Sequence, residues 1–593
     1  MKMRWSLKEL YPSFSSSVFR RDLAHLATEV AAWRRWSETR LQGKQPPQRV
    51  IEEYLKRRIA FVHLEERLGV FASLALAVNT ADAAARCALE TVERIVADTA
   101  EDKVRFARWL AEISERDIKA LEERSPLIAA HRFHLREIRA NARHLLSERE
   151  EVLLAKLRIT GSTAWSQLQN TLTATLMVPV RRGKKIEEVP LSVARNLAYD
   201  PDPAVRRAAY EAELAAYPKV EEAAAACLNA IKGEVITTAQ ARGFESPLAM
   251  TLHYARMDRP TLDALLAAMK ESLPLFRRYL RAKARLLGHR GGLPFYDLFA
   301  PIGKSRMRFT YDDARRFIVE HFSRFSPTLG AFADTAFRKR WIDAEPRKGK
   351  VGGAFCYNIH AIGESRVLTN FTGSLNNVVT IAHELGHAYH GACLKNESPL
   401  NSDYPMPLAE TASIFCETIV TQAALEKAGR AERRAILEGS LQTATQVIVD
   451  IYSRYLFETA LFAYRAEAVV PVEDLKGLML DAQQKAYGDG LDRERLHPYM
   501  WLCKPHYYDA DHNFYNFPYA FGLLFAKGLY AEYLKRGTSF VQEYDHLLSE
   551  TGKNDVAAVA ALMGIDVRDR RFWREALTII GKDIEQFCDE VAV

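Results

Sequence analysis

"IAHELGHAYH", residues 381–390, decides how the rest of this chain is read. It gathers three histidines and a glutamate in a chain of 593 residues that holds 16 histidines in all. At 3.6 residues per turn, His383 and His387 stand at i and i+4, on one helix face and about one turn apart. Two imidazole nitrogens at that spacing can close on one zinc ion, each at about 2.0–2.1 Å. Glu384 is rotated off that line, where a carboxylate serves a water molecule better than it serves the ion. This is the H-E-x-x-H pattern, two ligands and a general base. Gly386 costs about 1 kcal/mol in a helix relative to alanine, so a second helix or a substrate channel is expected to pass close by. His390, at i+7 from His383, is too far along the axis to join the same tetrahedral site and reads as a packed or hydrogen-bonded histidine.

A third ligand is sought downstream, in "PMPLAETASIFCETIV" (405–420), which reads as a helix opening after Pro407. Glu410, Ser413 and Glu417 fall at i, i+3 and i+7 and so share a face. Glu410 is expected to complete the three protein ligands that leave a fourth zinc position for water. Glu417, two turns on, suits the outer role of taking the second N–H of a ligating histidine and fixing its tautomer. The competing expectation is that both glutamates belong to a solvated helix face.

With these motifs in place, "HELGHAYH" followed by "ETASIFCE" resembles the thimet oligopeptidase / oligoendopeptidase F family of zinc metallopeptidases. "WSLKELYPSF" (5–14), "SVARNLAYDPDPAVRRAAYEA" (192–212) and "FYDLFAP" (295–301) extend the likeness over nearly the whole chain. The resemblance implies His383, His387 and Glu410 as zinc ligands, one Zn2+ per chain, and Glu384 as general base. It also implies a histidine followed by a tyrosine-rich segment near the C-terminus, for which the chain offers "KPHYYDADHNFYNFPYAFG" (504–522).

In that segment Tyr515 and Tyr519 are expected at i and i+4 on a helix. A phenol is a neutral donor at pH 7, suited to the oxyanion that forms when an amide carbonyl is attacked. His506 or His512 would supply a second donor; they precede Tyr515 by nine and three residues. A further tyrosine of the family pattern would fall on Gly522, a departure. The alternative is an aromatic stripe packed in the core.

Composition narrows the class. The chain is 48% hydrophobic and 26% charged, an ordinary globular balance long enough for two lobes or more. Its net charge of +7 arises from 82 basic against 75 acidic residues, a small excess. Short basic runs such as "RRGKK" (181–185) and "FRKRW" (337–341) read as turns and helix faces rather than nucleic-acid patches, and no nucleic-acid partner is expected. Seven dispersed cysteines with no C-x-x-C spacing fit a reducing compartment. The N-terminus "MKMRWSLKEL" lacks an apolar signal core, and the apolar run "LGVFASLALAVNTA" (68–81) is too short for a membrane span. The expected location is cytoplasmic, with no membrane partner; the oligomeric state is left open.

Along the chain, residues 18–160 show helical periodicity, and "TATLMVPVRRGKKIEEVPLSV" (173–193) reads as a hairpin. "RKGKVGGAFCYNIHAIGESRVLTNFTGSLNNVVT" (347–380) is glycine-rich and β-branched and reads as a small twisted sheet directly before the zinc helix. Its edge could pair with an extended peptide, and Gly352 and Gly353 would let substrate backbone approach closely.

The expectation is therefore a mainly α-helical, two-lobed, zincin-type metallopeptidase with a small β-sheet before the H-E-x-x-H helix and a deep interlobe cleft. Residues 1–195 would form an N-terminal helical lobe and 196–593 the catalytic domain. The expected activity is zinc-dependent endopeptidic hydrolysis of short peptides, about 5 to 20 residues long from extended reach in a cleft of domain size. Its rivals are a zinc carboxypeptidase of related helical architecture and a non-catalytic helical peptide-binding protein.

Overall fold

The computed structural model describes residues 2–43, 45–303 and 307–592. It is mainly helical, from Ser17–Arg40 to Arg570–Ala592, with two small sheets. Strands β1 (Met177–Arg182) and β2 (Lys185–Pro190) form the expected antiparallel hairpin, turning at Gly183 and Lys184. Val178, Val180 and Val189 are its buried positions, and alternate residues of β1 stay exposed, as the period of two requires. Strands β3 (Ile342–Asp343), β4 (Phe355–Ile359) and β5 (Glu364–Leu368) form a sheet in the order β3-β5-β4. β4 and β5 are antiparallel, β3 and β5 parallel, so β4 is an edge strand. This is the sheet expected between residues 347 and 380.

The chain divides into two compact units, each built from three separate stretches: Met1–Leu145, Met307–Ala423 and Glu532–Gly564 in the first, Leu146–Arg306, Ala424–Ala531 and Ile565–Val593 in the second. The boundary expected at 195/196 falls inside the helix Leu191–Asn196, within the second unit. Packing groups the chain by proximity in space rather than by order in sequence.

In the first unit an apolar cluster is centred on the helices Ser17–Arg40 and Pro47–Val78 and includes Trp33, Trp36, Tyr54, Phe61 and Phe106. It reaches Ile359 of β4 and Leu368 of β5, so the small sheet is seated on the N-terminal helices. The apolar run at 68–81 belongs mostly to the helix Pro47–Val78, whose Leu68, Val70, Phe71 and Leu74 are buried in this cluster. Among the described residues no helix is long and apolar enough to cross a membrane.

The helix Leu375–Leu394 follows β5 after a short connection. Its start is a capping box: Ser374 Oγ accepts from the N–H of Asn377, and Asn377 Oδ1 accepts from the N–H of Ser374, both at 3.3 Å. Leu375, Val378, Ile381, Leu385, Ala388 and Tyr389 form its buried face, and Tyr389 donates to Asp545 at 2.7 Å. Burial of that face fixes the rotation of the helix, and with it the direction of His383 and His387.

Candidate active site

His383 and His387 leave the helix Leu375–Leu394 on one side, with ring centroids 5.0 Å apart. Glu410 meets them from the second segment: its Oε2 lies 3.3 Å from His383 Nε2 and 3.5 Å from His387 Nε2. One ligand atom from each of the three lies within 4.8 Å of the others, the one such group found among the described residues. Glu417 Oε2 is 3.1 Å from His383 Nδ1. A carboxylate there accepts the Nδ1–H and orients the ring so that Nε2 faces Glu410. His387 is held by the backbone at Ala409.

The helix expected to run on from Pro407 is broken at Glu410, which stands between a single turn, Met406–Ala409, and the helix Thr411–Lys427. The reason is the partner against which the segment packs. A Cβ on Gly386 would lie 2.5 Å from Ala412 O and 2.6 Å from Ser413 Cα, so the backbone of the second helix rests directly on the glycine. Close approach brings Glu410 up to the histidines, and Ser413 Oγ fixes it by donating to Oε2 at 2.6 Å. Gly386 is thus accounted for by a passing helix, one of the two expectations. His390 is fully buried, stacked on Tyr404 with centroids 4.1 Å apart and bonded to Thr551 at 2.8 Å.

The electrostatics of this pocket favour positive charge between the carboxylates. Burial opposes the His383 imidazolium, yet Glu410 and Glu417 outweigh it and raise its pKa to about 10. Burial also opposes the Glu410 carboxylate, but His383, His387 and Ser413 hold its pKa down at about 2. His387 is dominated by burial, which lowers it to about 4. Glu384 is 6% exposed and burial pushes its carboxyl up to about 7, near the value suited to taking and returning a proton at neutral pH. Two imidazole nitrogens and a carboxylate oxygen within reach of one point, with a second carboxylate behind, are a donor set that could hold a divalent metal ion.

One participant has no signal in the motif. Asn358 of β4 donates from Nδ2 to the carbonyl of His387 at 3.0 Å and accepts from Ser365 Oγ at 2.8 Å. It fits because residue 391 is glycine: a Cβ there would lie 2.3 Å from Asn358 Cγ. The partner is 29 residues away in sequence, beyond the reach of any helical spacing. Gly352 and Gly353 precede β4 in open space, Gly353 at φ +77°, with Gly353 O accepting from Asn370 at 3.2 Å.

The tyrosine-rich segment belongs to the second unit. The expected single helix does not include Tyr515: it lies in the turn 513–516, and the helix Phe517–Arg536 starts two residues later, with Tyr519 in its first turn. Phe514, at φ +51°, interrupts the helical path. The turn still brings the two phenol oxygens to 3.5 Å. His506 stacks on Tyr515 with centroids 5.6 Å apart, and burial followed by Arg454 lowers its pKa. His512 is exposed, pairs with Asp509 at 3.1 Å, and meets Tyr515 edge-on. Both phenols are half-buried.

The description "Peptidase family M3" matches residues 196–579, and "Oligopeptidase F" matches residues 109–177. The chain belongs to peptidase family M3. It is 27% identical over 491 residues to group B oligopeptidase PepB of Streptococcus agalactiae, covering 82% of this chain and 80% of that one. It is 25% identical over 446 residues to oligopeptidase PepF of Bacillus subtilis, covering 73% and 65%. Two crystal structures show the same fold. One, of a Chlamydophila abortus protein, has TM-score 0.87 at 21% identity and covers 99% of this chain and 98% of that one. The other, oligoendopeptidase-F from Enterococcus faecium, has TM-score 0.72 at 20% identity and covers 97% and 99%. As a member of family M3 the chain is a peptidase, and His383, Glu384, His387 and Glu410 all lie inside the matched region.

Proposed function

We propose that this M3 peptidase is a zinc-dependent endopeptidase acting on short peptides. The observation that carries the reading is the convergence of His383 Nε2, His387 Nε2 and Glu410 Oε2 on one point, with Glu417 on the far nitrogen of His383. His383, His387 and Glu410 would hold one Zn2+ per chain, and Glu417 would orient His383. Bound zinc supplies Lewis acidity to a substrate carbonyl and acidifies water. Glu384 takes the proton of the attacking water on its carboxylate and returns it to the leaving nitrogen, a role its pKa near 7 supports. Tyr515 and Tyr519 donate phenol protons in hydrogen bonds to the developing oxyanion, with His506 as an assisting donor. An extended peptide pairs along the edge strand β4, past Gly352 and Gly353. The seven free cysteines support a cytoplasmic setting.

The test separates metal binding from proton transfer. Glu410→Gln is expected to lose metal during dialysis against a chelator at concentrations the unchanged protein withstands. Glu384→Gln is expected to keep its zinc and lose turnover. Full activity in metal-depleted protein would sink the zinc reading. Peptides with a free and an amidated C-terminus should be cut alike at internal bonds; loss of cleavage on amidation would replace the endopeptidase by a carboxypeptidase.

A further inference from the structure

The turn that carries Tyr515 is gripped from within the second unit by buried charge. Phe514 stands at φ +51°, a left-handed conformation that strains a bulky residue and persists only where the surroundings over-determine it. Its N–H donates to Glu458 Oε2 at 3.1 Å. The other oxygen of Glu458 accepts from Lys232 Nζ at 2.8 Å, and the same ammonium donates to Asn513 Oδ1 at 2.8 Å. Lys232 is 0% exposed, Asn513 1% and Glu458 2%. Lys232 Nζ also lies 4.9 Å from the centre of the Phe462 ring, which stacks on Phe514 at 5.4 Å. Two further bonds close the grip: Thr251 Oγ1 donates to Asn513 O at 3.0 Å, and Arg454 Nη1 donates to Asn516 Oδ1 at 2.9 Å.

Helices 221–241, 247–254 and 451–467 therefore converge on residues 513, 514 and 516, leaving Tyr515 as the member of the turn whose side chain faces Tyr519. Stability alone does not explain a fully buried ion pair. Desolvating two charges is costly, and apolar residues of the same volume often do as well or better. A pair of this kind imposes one geometry, because each of its bonds must be satisfied at once.

We infer that Lys232 and Glu458 are positioning residues for the phenols of Tyr515 and Tyr519, holding the strained turn in the one conformation that aims both hydroxyls together. The inference rests on the reading that those phenols donate to the substrate oxyanion. Lys232 and the N–H of Phe514 bond to different oxygens of Glu458, and in Glu458→Gln an NH2 donor takes the place of one of them, so one of the two donors meets a donor instead of an acceptor.

The test is a kinetic cycle in the zinc-loaded full chain with a short peptide substrate. Glu458→Gln is expected to lower kcat about 10–100-fold, the scale of a misplacement near 1 Å, with zinc content and KM little changed. In the background Tyr515→Phe/Tyr519→Phe, the same substitution is expected to change kcat by less than about twofold, since nothing remains to be aimed. If Glu458→Gln proves unstable, Lys232→Met/Glu458→Met, which removes both charges of the pair and the acceptor of the Phe514 N–H, takes its place in the cycle. An equal loss of kcat with and without the phenols would overturn the inference and make the ion pair a general structural element. Unchanged kcat in a folded Glu458→Gln chain would overturn it too. Normal kcat in Tyr515→Phe/Tyr519→Phe would instead remove the oxyanion reading itself, which is a separate arm of the cycle.

Discussion

The cluster of His383, His387 and Glu410 and the tyrosine turn make opposite demands on the chain. Around His383 the geometry is local: the two histidines proposed as ligands share a helix whose periodicity spaces them, and Glu384 needs only to be the next residue. Around Tyr515 the local geometry is wrong for a helix. The two phenols meet because Phe514 adopts a left-handed backbone that buried groups from distant helices sustain. The first site takes two of its three residues from one helix; the second takes its shape from segments far along the chain. What the pair teaches is that a functional arrangement can be written in spacing or in packing, and each fails in its own way when disturbed.

The largest effect is expected at the local site. Glu384→Gln removes the proton carrier but keeps its shape, and kcat should fall about 10²–10⁴-fold with zinc retained. Metal analysis beside single-turnover kinetics would decide it; near-normal turnover in this variant is incompatible with Glu384 as the base.

Next come the phenols. Loss of one oxyanion donor costs about 10²–10³-fold in kcat, and Tyr519→Phe or Tyr515→Phe is expected to fall in that range without loss of zinc. If both single variants keep wild-type kcat, the pair is a packing element and the contrast drawn above collapses.

Glu417 tests how far the local site reaches. Replacing it by glutamine removes the carboxylate from His383 Nδ1, and zinc affinity should drop about 10–100-fold. Competition with a chromophoric chelator measures this, and an unchanged dissociation constant would assign Glu417 to the solvated helix face.

Gly386 shows that even the local site borrows from packing. An alanine Cβ at 2.5 Å from Ala412 O forces the two helices apart, at a cost of about 1–3 kcal/mol in stability. Gly386→Ala should unfold at lower temperature and release zinc faster, because Glu410 moves with the adjoining Ala412 and Ser413. Stability and zinc release equal to the unchanged protein would show that the close approach is not required.

The smallest effect on activity is expected from a buried ion set of the second unit that serves stability. Burial opposes the Glu213 carboxylate, but His497 and Arg195 hold its pKa at about 2 against an ordinary 4.5. A folded-state pKa below the unfolded one contributes stability above about pH 4.5 that is lost as pH falls toward about 2. The wild-type unfolding midpoint should therefore drop more steeply across that window than the midpoint of Glu213→Gln. Parallel curves for the two would remove Glu213 as the source of acid sensitivity.

By itself the sequence determined the character of the helix at 381–390, the hairpin at 177–190 and the sheet before that helix, because period and turn chemistry act over a few residues. It also placed Glu410 and Glu417 by residue type. It did not reveal the break at Glu410, which follows from the backbone of Ala412 and Ser413 resting on Gly386. Nor did it reveal Asn358, whose bond to His387 spans a gap no periodicity encodes. Tyr515 looked like part of a helix because its i, i+4 spacing to Tyr519 is helical, yet Lys232, Glu458 and Arg454 decide its backbone from other segments. The division of the chain into units was settled the same way, by which stretches bury one another. Spacing is a property of neighbours along the chain, and what neighbours in space impose became visible only when the chain was folded.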